Sequence, residues 1–143
     1  MISLSFSAGR SRFLDRHPRF VEPTAKVFVN VAFPGLRREL LAKVDTGAAY
    51  SVLELDVARE LGLLDVEGER TRLSTRLGEL QGQLVRTPLR IIAEEGDSLV
   101  TEATFFVSSR WHGATFLGYT GLLDKLRIAL DSPANQFYFG EES

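Results

Sequence analysis

The sequence predicts an all-β fold with one or two short helices, on three observations. Runs of β-branched and aromatic residues recur along the chain, most plainly at 27–33 and 99–108. Turn-forming clusters separate such runs: Pro34-Gly35, Glu94-Glu95-Gly96-Asp97 and Ser132-Pro133-Ala134-Asn135. Helical spacing is confined to two short stretches, 55–61 and 122–126.

Taken in order, residues 2–6 alternate Ile2, Leu4 and Phe6 with Ser3 and Ser5, the period of a half-buried strand. Residues 9–23 read as irregular, broken by Pro18 and Pro23, with Phe13, Leu14 and Phe20 available for packing. The run Val27-Phe28-Val29-Asn30-Val31-Ala32-Phe33 is a strand, and after Pro34-Gly35 the chain returns through 36–44 as its hairpin partner. Leu55, Ala58 and Leu61 share one helical face, and Gly62 suits the helix end. Residues 71–85 form a polar hairpin with Gly78 near its tip, and Leu73, Leu80 and Leu84 support its strands. Further strands are expected at 89–93, 99–108, 127–131 and 136–139, with a short helix at 122–126. A hairpin, an apolar strand, a glycine loop and a short helix follow one another around Asp45 and again around Gly118. That faint repeat predicts that Gly47 and Gly118 lie close together.

A chain of 143 residues is expected to form one domain. With 44% hydrophobic and 25% charged residues it has the composition of an ordinary soluble globular protein. A net charge of -2 carries no footprint of nucleic-acid or anionic-membrane binding, so neither partner is expected. Arg10, Arg12, Arg16 and Arg19 gather early, but Asp15 and Glu22 offset them, which fits a solvated arm. The absence of cysteine excludes disulfides, thiolate metal sites and a cysteine nucleophile. His17 and His112 are too few for a histidine-based zinc site. No apolar run approaches the ~18 residues of a bilayer span, and residues 1–6 lack the basic start of a signal peptide. Cytoplasmic residence is the resulting expectation.

The chemistry gathers at Val44-Asp45-Thr46-Gly47-Ala48. An apolar strand, Leu40-Leu41-Ala42-Lys43-Val44, delivers a carboxylate into a tight turn, which is a way to hold that carboxylate still. Gly47 offers a turn without a Cβ penalty, and the Thr46 hydroxyl offers a bond to neighbouring backbone. The same three residues also suit a plain Asp-x-Gly turn in a small β-barrel with no active site. Ser51 lies near Asp45, but no histidine adjoins either residue in sequence, so a serine triad is poorly supported. Glu94, Glu95 and Asp97 fit a solvated turn better than a cation site, and Trp111 with His112 fits a loop anchor or an interface.

This pattern resembles the retropepsin-like aspartic proteases, particularly single-domain cellular and bacterial members. Four features carry the resemblance across about residues 25–140: the Asp-Thr-Gly-Ala run, a hairpin after it, Phe116-Leu117-Gly118, and a helix followed by terminal strands. The resemblance implies a small closed β-barrel of the acid-protease type over residues 1–143, with 1–24 as an N-terminal strand and arginine-rich arm. Only one Asp-Thr-Gly occurs in the chain, so it further implies a homodimer whose two Asp45 carboxylates form one active site. The activity implied is aspartic endopeptidase hydrolysis of extended peptides, with neither metal nor organic cofactor. On the same basis Asp45 is the catalytic acid or base, while Thr46, Gly47 and Ala48 support the loop. Arg76, Leu77, Gly78 and Glu79 form a flap over the substrate, and Phe116, Leu117 and Gly118 form the second loop. Val52, Ile91 and Leu117 are candidate pocket walls as well as candidate core residues. Retroviral members carry an Asp and an Arg at positions that here hold Ala49 and Tyr119. The dimer contact is therefore expected from residues 1–6 and 136–139 pairing across subunits, or from the arginine-rich arm. A retropepsin-like module that binds peptides or dimerises without cleaving remains the alternative.

Overall fold

Val27, Val29 and Val31 turn into the core while Asn30 faces outward, and on the returning strand Leu40 and Ala42 are buried while Leu41 is exposed. This two-residue period builds most of the molecule. The computed structural model describes residues 8–11, 27–75, 78–131, 133–134 and 136–141. In chain order the strands are β1 (Ala8–Ser11), β2 (Val27–Ala32), β3 (Leu40–Val44) and β4 (Ser51–Val52). They continue with β5 (Glu69–Thr75), β6 (Gly78–Ile92), β7 (Leu99–Val107), β8 (Phe116–Leu117), β9 (Leu126–Asp131) and β10 (Gln136–Glu141). One helix, α1 (Leu55–Glu60), follows β4, and a 3₁₀ turn at Leu123–Lys125 precedes β9.

The larger sheet runs β2-β3-β8-β4-β7-β6-β5, and β2 also pairs with β6, which closes six strands into a barrel. Closure leaves those strands without a free edge along the wall. Val29, Val31, Leu53, Leu89, Phe105 and Leu117 fill the interior, and Phe33 meets Phe105 edge to face at 5.6 Å. The smaller sheet, β1-β10-β9, is antiparallel throughout. Helix α1 buries Leu55, Val57 and Ala58, and partly buried Leu61 packs against the same core. Gly62, at φ 70°, ends the helix: its own N–H donates to Arg59 O and the Leu63 N–H donates to Ala58 O. Both bonds of the glycine C-cap are thus made.

Several elements differ from the sequence-based expectation. The stretches expected as a hairpin arm and a separate strand at 89–93 are one 15-residue strand, β6. Val85, Thr87, Leu89 and Ile91 keep one inward phase through Pro88. Pro88 is tolerated because it falls between the residues that pair with β5 and those that pair with β2. The return strand begins at Leu40 rather than 36, because Leu36 donates its N–H to Phe33 O in the preceding turn. The helix expected at 122–126 shrinks to the 3₁₀ turn. The start of the segment expected to be irregular, residues 9–11, belongs to strand β1 because β10 offers it an open edge. The strand expected at 2–6 lies outside the described residues.

Candidate active site

Strand β8 is threaded between β3 and β4. It runs parallel to β3, with Val44 opposite Leu117, and antiparallel to β4, with Val52 opposite Phe116. The loop joining β3 to β4 therefore leaves the sheet and arches over the end of β8. That loop carries Asp45.

Asp45 is held from both sides. Its N–H donates to Leu117 O at 2.9 Å, and its Oδ1 accepts from the Gly47 N–H at 3.0 Å. The Ala48 N–H closes the turn on Asp45 O at 3.2 Å. A carboxylate that takes the amide two residues on is the Asx geometry that fixes its direction. The other carboxylate oxygen has no partner among the described residues. Asp45 is half-buried, and Thr46 and Gly47 are exposed, so the loop presents its acid at an open face.

The second glycine loop is tied directly to the first. Tyr119 and Thr120 donate their N–H groups to Ala48 O and Ala49 O, each at 2.9 Å, and the Gly118 N–H donates to Ser51 Oγ at 2.9 Å. The sequence repeat thus anticipates two adjoining loops, and the structure brings them together. It also redistributes the roles of their glycines. A Cβ on Gly47 would meet only Asp45 Oδ1 at 3.4 Å, an ordinary contact, and its φ lies outside the left-handed region. The turn itself does not require glycine there, contrary to expectation. A Cβ on Gly118 would stand 2.2 Å from Tyr50 O and 2.3 Å from Tyr50 C. Glycine is needed where the two backbones touch.

Ser51 is fully buried and accepts from Gly118, so the residue weighed as a nucleophile is a brace. Ser51→Ala leaves that buried amide without its acceptor. It is expected to lower stability by about 1–3 kcal/mol, measured by denaturant unfolding. A second brace escaped sequence reading. Thr115, 1% exposed, accepts from Glu54 N–H at 3.1 Å and donates its hydroxyl to Glu54 Oε2 at 3.0 Å. Thr115 O also accepts from the Lys43 N–H, fixing the base of the loop. No local pattern signals this, because Glu54 and Thr115 are 61 residues apart.

The remaining candidates divide clearly. Val52, Ile91 and Leu117 are all buried core, which removes them as pocket walls. Phe116 is half-buried and meets Trp111 edge to face at 5.7 Å. Trp111 Nε1–H donates to Ala114 O, so this indole anchors its own loop while His112 stays exposed. In the flap-like hairpin, Gly78 pairs with Thr75 and Glu79 lies 3.6 Å from Arg72; both positions are exposed. Arg76 and Leu77 lie outside the described residues. Glu94, Glu95 and Asp97 sit on an exposed turn, and no group of acidic or histidine side chains among the described residues could hold a metal ion. No helix among them is long and apolar enough to cross a membrane.

No family model matches the chain, and no curated protein matches its sequence. Among solved structures it is similar to a retropepsin-like aspartic protease from Rickettsia conorii. The TM-score is 0.56 at 16% identity, over 91% of this chain and 98% of that one. EIAV protease complexed with the inhibitor HBY-793 matches at a TM-score of 0.41 and 21% identity, over 76% of this chain and 92% of that one. Together with the six-stranded closure and the inserted β8, the likeness to the Rickettsia structure identifies the architecture: this chain has a retropepsin-like fold.

Proposed function

We propose that this chain is an aspartic endopeptidase that acts as a homodimer on extended peptide segments. The observation that carries the proposal is Asp45, pinned by Leu117 O and Gly47 N–H at an open face of a retropepsin-like barrel. One such acid is half of a known chemical device. Two carboxylates about 3 Å apart cannot both ionise, so a pair of Asp45 side chains shares one proton. The ionised member takes a proton from water, which attacks the peptide carbonyl, and the protonated member stabilises the oxygen that becomes negative. Activity is then expected in the acidic to mildly acidic range, where one proton is available to be shared.

The neighbouring residues take roles that follow from this arrangement. Thr46 braces the two loops across the two-fold axis. Gly47 leaves room for substrate at the exposed face and turns its carbonyl toward the peptide backbone. Residues 76–79 close over the peptide and exclude water. An extended substrate adds a strand, so main-chain bonds supply affinity. No metal or organic cofactor enters the chemistry.

Digestion of an extended-peptide library by the purified protein, with Asp45→Asn in parallel, tests the proposal. Cleavage that disappears in the variant supports it. Equal cleavage by both proteins removes Asp45 from the chemistry and overturns the proposal, and no cleavage by a wild-type dimer across the acidic range leaves the non-cleaving module.

A further inference from the structure

Each edge of β10 is already occupied within the chain: β1 pairs with it from Ala8↔Gly140 to Ser11↔Phe137, and β9 from Gln136↔Asp131 to Glu141↔Leu126. The terminal strand at 136–139 therefore has no edge to offer a partner, which overturns the expected cross-subunit pairing. Residues 1–6 lie outside the described residues. Strand β5 is the opposite case. It pairs with β6 from Glu69↔Leu84 to Thr75↔Gly78 and has no strand on its other side among the described residues. Alternate residues of an antiparallel strand turn their N–H and C=O groups away from the partner, so the outer side of β5 presents a row of donors and acceptors.

A cleft of about 670 Å³ opens on this strand. One wall is the hairpin: Arg70 lies opposite Gln83 and Arg72 opposite Gln81, so these four share one face. The other wall is the loop after α1, which brings Asp65, Val66 and Glu67. That loop is seated firmly on β6. The Gly68 N–H donates to Gln83 Oε1 at 2.8 Å, and a Cβ on Gly68 would collide with Leu84 O. The charges between the walls are unmatched. Asp65, Glu67 and Arg70 are exposed, and none of them has an ion pair among the described residues, while Arg72 reaches only Glu79 at 3.6 Å. Opposite charges thus line one cleft and stay apart, so an occupant that satisfies them must itself carry both signs.

We propose that β5 and this cleft bind an extended segment of another protein, which adds to the free edge as a strand. Acidic side chains two residues apart lie on one face of such a segment and meet Arg70 and Arg72, which are themselves two apart on β5. A basic side chain on the same face reaches Asp65 and Glu67, and its aliphatic stem covers Val66, which is 46% exposed. Main-chain bonds to the edge supply affinity, and the order of charges supplies selectivity. None of these residues belongs to the Asp45 loop or the Gly118 loop, so the site stands whether or not Asp45 acts as an acid or base.

Fluorescence anisotropy tests this with a capped, fluorescein-labelled peptide, Lys-Val-Glu-Thr-Glu-Val-Lys, whose symmetric charge order suits either strand direction. Binding is read on Asp45→Asn protein, so the outcome does not depend on hydrolysis. Arg70 and Val100 are exposed, so Arg70→Glu and Val100→Arg on this background are expected to fold, and thermal unfolding checks that. Saturable binding at micromolar concentration is expected. Arg70→Glu should raise the Kd by about 10-fold, and a probe with Glu and Lys exchanged should bind that variant better than the original probe does. Val100→Arg, outside the cleft, should leave the Kd unchanged. A fully N-methylated probe, which cannot donate to a strand edge, should bind about 10-fold or more weakly. No binding by the folded protein, or equal binding by Arg70→Glu, overturns the site and spares the aspartic enzyme. Equal binding of the N-methylated probe overturns the added strand.

Discussion

Asp45→Asn is expected to lower peptide hydrolysis by about 10²–10⁴-fold while leaving fold and dimer unchanged. The amide is nearly isosteric with the carboxylate. Its oxygen can still accept from Gly47 N–H, which holds Asp45 Oδ1 at 3.0 Å, so the loop keeps its geometry. What is lost is the shared proton, because an amide neither takes a proton from water nor passes one on. Subunit mixing gives a sharper form of the test. In an equal mixture of wild-type and Asp45→Asn chains, random pairing leaves about one quarter of the dimers with two acids. Activity per total chain should therefore fall to about one quarter. A fall to only one half would mean that each Asp45 works alone, and the paired mechanism would be wrong.

The second large effect is expected at Gly118. An Ala Cβ there would be driven to 2.2 Å from Tyr50 O and 2.8 Å from Ser51 N. These contacts are backbone, so no side chain can swing aside. Relief requires the Gly118 backbone to withdraw from the Asp45 loop, which strains its bond to Ser51 and the neighbouring Tyr119 N–H to Ala48 O bond. Gly118→Ala should thus destabilise the protein by about 3 kcal/mol, roughly 10 °C in Tm, and abolish activity with it. Gly47→Ala is the informative contrast. Its Cβ meets nothing closer than 3.4 Å within the chain, so stability should hold. On the proposed function cleavage should fall, because the added methyl occupies the exposed face that the proposal gives to substrate. If the two variants melt alike, the close contact at Gly118 does not govern the loops.

Local pattern determined a good deal of this protein. The alternation of Val27, Val29 and Val31 named an inward face, and Gly62 marked the end of α1. The Asp-Thr-Gly run placed one acid at a strand end, and the repeated order of elements put the Gly118 loop beside it. Each of these signals lies within a few residues, where backbone geometry converts sequence spacing directly into direction.

Only the tertiary structure decided the rest. Ser51 and Gly118 stand 67 residues apart, and no periodicity reports that β8 would slip between β3 and β4 to join them. Which glycine is obligatory followed from that insertion: Gly118 lies against foreign backbone, whereas a Cβ on Gly47 would meet only the Asp45 side chain of its own loop. Long-range pairing likewise filled both edges of β10 and, among the described residues, left one edge of β9 without a strand, a matter of which strand arrives beside which. Contacts of that kind depend on how the barrel closes, and closure is a property of the whole chain rather than of any stretch within it.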